Sequence, residues 1–190
     1  MRTRTGLKLF AVGGLWLFLS GCASYSLTFQ VGDVINAPGD DLTREELDVD
    51  VLLLTPKETE RYPEIVEGGL RSNDWFRMRD EGDPKIAGIS PKHILALRRG
   101  SAEAGRDTLI GPSLISQIDR RERGDITIPI KHPDPGDKDS AIVIYGRFRS
   151  MTGLAKTPPL VIQPLPGWGD DKHLIIKVGR TGMSCMNCPD

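Results

Sequence analysis

The sequence predicts a mainly β protein, an antiparallel β-sandwich with one or two short helices inserted. Three observations carry this expectation. Stretches such as Ser26-Leu27-Thr28-Phe29-Gln30-Val31 and Asp125-Ile126-Thr127-Ile128-Pro129-Ile130 alternate polar and apolar residues, the period of a half-buried strand. A nearly unbroken apolar run, Ala141-Ile142-Val143-Ile144-Tyr145-Gly146-Arg147-Phe148, has the character of a central strand. Gly, Pro and Asp clusters separate these runs without a regular strand–helix alternation, which argues against a parallel α/β sheet.

The first 22 residues stand apart. Arg2, Arg4 and Lys8 precede an apolar run at 9–19, and the small residues Ser20 and Gly21 precede Cys22. A basic segment, a short apolar segment and a small-residue cleavage site make a secretory signal peptide. The run is too short to span a hydrocarbon core of about 30 Å, which needs about 20 apolar residues. The stretch Leu19-Ser20-Gly21-Cys22 resembles the bacterial lipoprotein box; an ordinary secretory signal with an incidental cysteine is the alternative. The resemblance implies that residues 1–21 are a signal peptide and that Cys22 is the lipidation site, so that the chain meets the membrane through its N-terminal lipid. It further implies that Ala23, standing where an Asp would retain the protein at the inner membrane, directs it to the outer membrane on the periplasmic face. Residues 22–26 then form a tether of at most ~15 Å, residues 27–179 the sandwich, and residues 180–190 a C-terminal tail.

The elements follow in order. After the first strand, residues 32–42 carry Asn36, Pro38, Gly39, Asp40 and Asp41 and read as a loop. Leu47-Asp48-Val49-Asp50-Val51-Leu52-Leu53-Leu54 is a second strand, with Asp48 and Asp50 on one face. Those two carboxylates read as a solvated strand face; a metal-ligand reading lacks the spacing and the glycine of a calcium loop. Thr55-Pro56-Lys57-Glu58 opens a short helix, with Thr55 as N-cap, Pro56 at the first position and Glu58 as capping-box partner. Ser72-Asn73-Asp74 is a second cap, and Trp75-Phe76 behind it reads as a core plug in preference to a ligand platform. Residues 79–91 are loop-like. His93-Ile94-Leu95-Ala96-Leu97-Arg98 is read as a strand, with Ser90-Pro91 leaving a helix open as the alternative. Weak strands are expected at 108–110 and 113–116, and residues 119–123 are a mixed charge run. Pro129 lacks an N–H, so the strand at 125–130 belongs at a sheet edge. A Pro/Gly/Asp loop at 131–139 includes Asp134. The last strands are Leu160-Val161-Ile162-Gln163-Pro164 and Lys172-His173-Leu174-Ile175-Ile176-Lys177-Val178, with a turn at 168–171 between them.

Composition narrows the function classes. The chain has 25 Lys and Arg against 26 Asp and Glu, and three of the cations lie in the first 21 residues. A mildly acidic chain of this kind has no electrostatic footprint for nucleic acid. Aromatic residues make up 6% of the sequence, too few for a stacking platform for sugars or bases. No nucleophile elbow, zinc-protease pair or phosphate-cradling loop is present. No catalytic residue, metal ligand set or cofactor is expected. Cys185 and Cys188 are spaced C-x-x-C near the C-terminus and read as a local disulfide; free thiols, or a metal or redox role, are the alternatives. The loops with Asp40, Asp41 and Asp134 are the candidates for contact with a protein partner.

The order of elements, a lipoprotein signal leading into an extended strand, a helical insertion after the second strand and the segment Ile142-Val143-Ile144-Tyr145-Gly146-Arg147-Phe148-Arg149, is similar to the outer-membrane lipoproteins of the type VI secretion system, the TssJ family. That resemblance implies a transthyretin- or immunoglobulin-like sandwich. It also implies a structural role: a lipid-anchored scaffold or docking subunit of an envelope complex that binds a periplasmic part of an inner-membrane secretion subunit. A solute-binding lipoprotein and an envelope hydrolase are the alternatives, the first expecting a ligand-sized pocket and the second a carboxylate pair or His-based dyad in a cleft.

Overall fold

A computed structural model describes residues 24–32, 35–37, 47–97, 125–134, 137–167 and 172–189. Within these the strands are β1 (Ser24–Val31), β2 (Val49–Leu54), β3 (Ile94–Leu97), β4 (Asp125–Lys131), β5 (Ala141–Gly146), β6 (Arg149–Ser150), β7 (Gly153–Leu154), β8 (Leu160–Ile162), β9 (His173–Val178) and β10 (Met183–Cys185). The helices α1 (Pro56–Arg61), α2 (Pro63–Val66) and α3 (Ser72–Glu81) lie between β2 and β3, followed by 3-10 turns at Pro84–Ile86 and Pro91–His93. The helical insertion is therefore larger than one or two short helices, and Arg79 sits in α3, not in a loop. The expected weak strands at 108–116, the charge run at 119–123 and the turn at 168–171 lie outside the described residues.

Two four-stranded sheets pack face to face. Sheet A has the order β10-β9-β1-β4 and sheet B the order β3-β2-β5-β8; a small β6-β7 hairpin stands beside them. The inner faces meet in one core. Tyr25, Leu27 and Phe29 of β1, Ile128 and Ile130 of β4, and Leu174, Ile176 and Val178 of β9 contribute from sheet A. Val49, Val51 and Leu53 of β2 with Ile142 and Ile144 of β5 contribute from sheet B. Every second residue points inward, as the pleat requires.

Sheet B has a second apolar face. Leu52 and Leu54 of β2, with Ala141, Val143 and Tyr145 of β5, pack against Tyr62, Ile65, Trp75, Phe76 and Met78 of the helices. All six residues of β2 and all six of β5 are buried. Burying a Leu, Ile or Phe side chain contributes roughly 1.5–3 kcal/mol, so a sheet with two apolar faces gains from both. The architecture is three layers: sheet A, sheet B, helices. This corrects the expected solvated face on β2. The helices cover that face, and Asp50 is 0% exposed.

The edges follow the sequence. β4 lies at the margin of sheet A, where the missing N–H of Pro129 costs no ladder bond. β1 pairs β4 antiparallel, Ser24 opposite Lys131 and Thr28 opposite Thr127. It pairs β9 in parallel, Ser26 opposite His173. Sheet A is thus mixed, not wholly antiparallel. The expected tether and tail also shorten, because β1 starts at Ser24 and β10 at Met183 already belongs to sheet A. Leaving β5 at Gly146, the chain turns toward Phe148, and a Cβ on Gly146 would lie 2.5 Å from Phe148 Cε2. Phe148 is 1% exposed and has no room to yield. Gly146→Ala is expected to lower the unfolding free energy by about 1–3 kcal/mol, measured by urea titration, while a substitution at the open Gly182 leaves it within about 0.5 kcal/mol.

Candidate functional site

Among the described residues, hydrogen-bonded polar side chains gather in four places. The most buried is under the helices. Asp50 lies on the helix-facing side of β2, and its Oδ2 accepts a hydrogen bond from Trp75 Nε1 at 2.8 Å and another from Arg79 Nη1. Arg79 is nearly as buried as its partner. Its other edge donates from Nε and Nη2 to Asp80 Oδ1 at 3.1 and 2.8 Å. Asp80 in turn accepts from Arg147 Nη2 at 2.5 Å, and Arg147 Nε lies 3.5 Å from Asp48 Oδ2. The two guanidinium groups flank the Phe76 ring at 4.7 and 4.6 Å from its centroid, within cation–π range. Trp75 stacks on Tyr145 at 5.0 Å with the planes 8° apart. Burial pushes the Asp50 carboxyl above its ordinary range, against the pull of Arg79 and the Trp75 N–H.

Local sequence explains why α3 delivers these groups. Trp75 and Arg79 are four residues apart and share a helix face. The helix stops at Gly82, which takes φ 68°, a left-handed conformation that glycine adopts without a Cβ penalty. The Asp83 N–H then bonds to the Met78 carbonyl at 2.8 Å and closes the end.

A second knot ties the start of α1 to the strand entering sheet B. Glu58 is 7% exposed. Its carboxylate accepts from the Thr55 N–H (3.0 Å) and hydroxyl (2.8 Å), the Ser90 N–H (2.9 Å) and His93 Nδ1 (2.9 Å to each oxygen). Thr55, Pro56 and Glu58 form the helix start that the sequence predicts. Desolvation alone would raise the Glu58 carboxyl; the donors from Ser90, Thr55 and His93 outweigh it and hold it below its ordinary value. Such a fully engaged carboxylate has no lone pair left for a proton from a substrate.

A third group lies on the outer face of sheet A. Ser26 Oγ and His173 Nδ1 are hydrogen-bonded at 2.6 Å, His173 Nε2 and Thr28 Oγ1 at 3.2 Å, and Thr28 Oγ1 and Thr127 Oγ1 at 2.7 Å. Among the described residues this is the nearest approach to a serine–histidine dyad. Both ring nitrogens are occupied by hydroxyls, and the pair sits on the outer face of the sheet, so the histidine is held by hydrogen bonds within the fold.

The fourth is the loop of Asp134. His132 is 1% exposed; Nε2 donates to the Ala141 carbonyl (3.2 Å) and Nδ1 accepts from the Asp134 N–H (3.1 Å). These bonds define a neutral ring, and burial holds its pKa below the ordinary histidine value. The Ser140 hydroxyl donates to the Asp134 carbonyl. The Asp134 backbone is therefore fixed while its side chain is exposed. Cys22, Asp40 and Asp41 lie outside the described residues. Cys185 and Cys188 are disulfide-bonded, Cα–Cα 5.6 Å, on the sheet edge far in sequence from Asp134. Among the described residues no three His, Cys, Asp or Glu side chains are grouped to hold a metal ion. An open groove runs along Lys177 and 179–184 at the β9–β10 turn.

The Asp50 and His132 roles were missed by sequence reading. Only the i, i+4 spacing of Trp75 and Arg79 behind a buried strand hints at the first.

No family model matches the chain, and no curated protein matches it. Two solved structures are similar. The type VI secretion lipoprotein TssJ1 from Pseudomonas aeruginosa is 14% identical with a TM-score of 0.47, the match covering 87% of this chain and 98% of that one. Lip of Serratia marcescens, a membrane bound component of the type VI secretion system, is 14% identical with a TM-score of 0.43, covering 88% of this chain and 98% of that one.

Asp50→Ala strands the buried Arg79 with Asp80 alone and is expected to lower the unfolding free energy by about 3 kcal/mol. An Asp50→Leu, Arg79→Met double variant recovers most of the loss; denaturant titration of the three proteins checks this. Acid sensitivity has two separate sources. The His132 pKa is depressed in the fold, so its contribution is lost as pH falls below the unfolded value of about 6.5. The Glu58 pKa is also depressed, so its contribution is present above about 4.3 and is lost as pH falls through the folded value. His132→Gln should flatten the upper loss and Glu58→Gln the lower, read as variant-minus-parent stability across pH 7.5 to 3.

Proposed function

We propose that the chain is a lipid-anchored docking subunit of an envelope complex of the type VI secretion kind, held through acylated Cys22 at the periplasmic face of the outer membrane. The observation that carries this reading is the spacing between anchor and fold. The lipoprotein-like Leu19-Ser20-Gly21-Cys22 is separated from the first strand residue, Ser24, by Ala23 alone. Two residues reach at most about 7 Å. A body tied so closely rests against the lipid surface and acts there as a fixed platform. The three acyl chains implied by lipoprotein processing supply the anchoring, since one chain alone binds only marginally.

The tether also orients the sandwich. Ser24 lies opposite Lys131, and Ser26 lies opposite His173. The loop after Lys131, with Asp134, shares that membrane-facing end. The opposite end holds Val31, Val178, Gly146 and the β6–β7 hairpin. It is bound together by Arg149 N–H to Asn36 Oδ1 and Ala37 N–H to the Arg180 carbonyl. Met151 at the hairpin tip is 81% exposed and Leu154 43%. The described residues that flank Asp40 and Asp41 in sequence, Ala37 and Leu47, lie at this same far end. The reading therefore assigns partner contact to the far end and membrane contact to the Asp134 end. It assigns binding in place of catalysis, because the Ser26–His173 pair and the Glu58–His93 pair are both consumed by internal hydrogen bonds.

Cys22→Ser is expected to move the protein from the membrane to the soluble fraction. A photo-crosslinking residue at Met151 is expected to capture a protein, and one at Asp134 to capture lipid. Membrane retention of the Cys22→Ser protein would overturn the anchor, and protein capture from Asp134 alone would overturn the orientation.

A further inference from the structure

Sheet A ends at an unusual edge. β10 is short, pairing Met183, Ser184 and Cys185 with Val178, Lys177 and Ile176 of β9. Half of β9 would be left with open backbone groups. In a strand alternate residues direct their N–H and C=O to opposite neighbours. The Lys172 and Val178 carbonyls accept from Ser26 and Gly32 on the β1 side, so the polar groups of Leu174 and Ile176 also face β1. Those of His173, Ile175 and Lys177 face β10.

The ladder continues past β10 by a substitute. The Met186 N–H donates to the Ile175 carbonyl at 2.9 Å. A regular strand would next offer a backbone carbonyl to the Ile175 N–H and a backbone N–H to the His173 carbonyl. Here both roles fall to one side chain: Asn187 Oδ1 accepts from the Ile175 N–H at 2.8 Å, and Asn187 Nδ2 donates to the His173 carbonyl at 2.7 Å. A carboxamide carries one acceptor and a donor in a plane, the same pair that a peptide unit presents.

The backbone must bend to put that side chain there. Four residues in a strand would separate Cys185 and Cys188 Cα atoms by about 10 Å, whereas they are 5.6 Å apart and bridged by the disulfide. Both cysteines pack against the inter-sheet core. Pro189 follows and has no N–H with which to extend the ladder.

We propose that the Cys185–Cys188 disulfide is an oxidation-set edge stop, which holds the Asn187 carboxamide in place of a strand peptide and closes the first half of β9. Closure removes two hydrogens: the two thiols lose two electrons and two protons to a protein disulfide of the C-x-x-C oxidoreductase class, which leaves as a dithiol. Opening is the reverse, with a dithiol reductant attacking one sulfur and its second thiol releasing the mixed disulfide. The stop then forms only after the chain reaches an oxidising compartment, and it blocks the edge against pairing with other extended chains.

Amide hydrogen exchange on the full chain in detergent tests this, oxidised and after dithiothreitol. The Ile175 amide is expected to exchange about tenfold faster or more on reduction, while the Leu174 and Ile176 amides, which face β1, keep their rates. Asn187→Ala, with the disulfide intact, is expected to reproduce the Ile175 effect. An unchanged Ile175 rate in either sample overturns the proposal. Equal acceleration at Leu174 and Ile176 also overturns it, because the disulfide would then hold the whole sheet and not its edge.

Discussion

A carboxylate with no access to water sits between two apolar layers, and the helices above it are arranged around its Oδ2, which takes both of its hydrogen bonds while Oδ1 takes none. Asp50 interrupts a strand that is otherwise apolar on both faces. Removing a charge from water costs several kcal/mol unless a partner and hydrogen bonds replace the solvent. Arg79 and Trp75 supply them from one helix face, and that fixes the rotation of α3 over sheet B. Fixing α3 brings Phe76 against two guanidinium groups and Trp75 flat on Tyr145. Asp80 then carries the same network to Arg147 at the surface. One apolar residue at position 50 would give comparable burial without specifying any of this geometry.

Much of the fold was legible because the signals were local. The run at 141–146 reads as a central strand because its residues must be apolar on both sides. The cap at Thr55, Pro56 and Glu58 reads as a helix start because the orphan N–H groups of a first turn demand those residue types. Pro129 reads as an edge because it lacks a donor. What escaped is non-local. Alternation on β2 marks two faces but does not say what covers the second, so Asp50 looked solvated. Pairing direction leaves no trace in a single strand, so the parallel contact of β1 with β9 was read as antiparallel. The sheet role of Met183-Ser184-Cys185 was hidden for another reason: three residues are too few to show a period. Of the buried polar groups, the helix-start carboxylate at Glu58 could be placed beforehand, and its histidine partner lies on a different element.

The same connectivity separates the two ends of the sandwich. One end gathers the starts of β1 and β9, the end of β4 and the rigid loop held by His132. The other gathers the β5 exit, the small hairpin and the β9–β10 turn. If the chain is held by its first residues as proposed, one end faces the support and the other solvent, and the proposed docking role then depends on strand order as much as on any single side chain. Rigid backbone at the first end and exposed apolar side chains at the second fit that division.

The placement of β1 has a consequence for how the molecule is made. It is a central strand of sheet A, yet its contact with β4 spans 99 residues of chain at Thr28–Thr127, and its contact with β9 spans 147 at Ser26–His173. Synthesis runs from the N-terminus and brings out β1 long before either neighbour. Both its margins are open until β4 arrives, and the margin that pairs with β9 stays open until the last stretch follows; no local hairpin can shield either. Completion of the sheet is therefore timed by synthesis of the last strand, and a chain truncated before residue 173 leaves β1 with an unpaired margin. Such a strand is a template for misassembly, and the remedy lies at the opposite terminus of the chain from the strand that needs it.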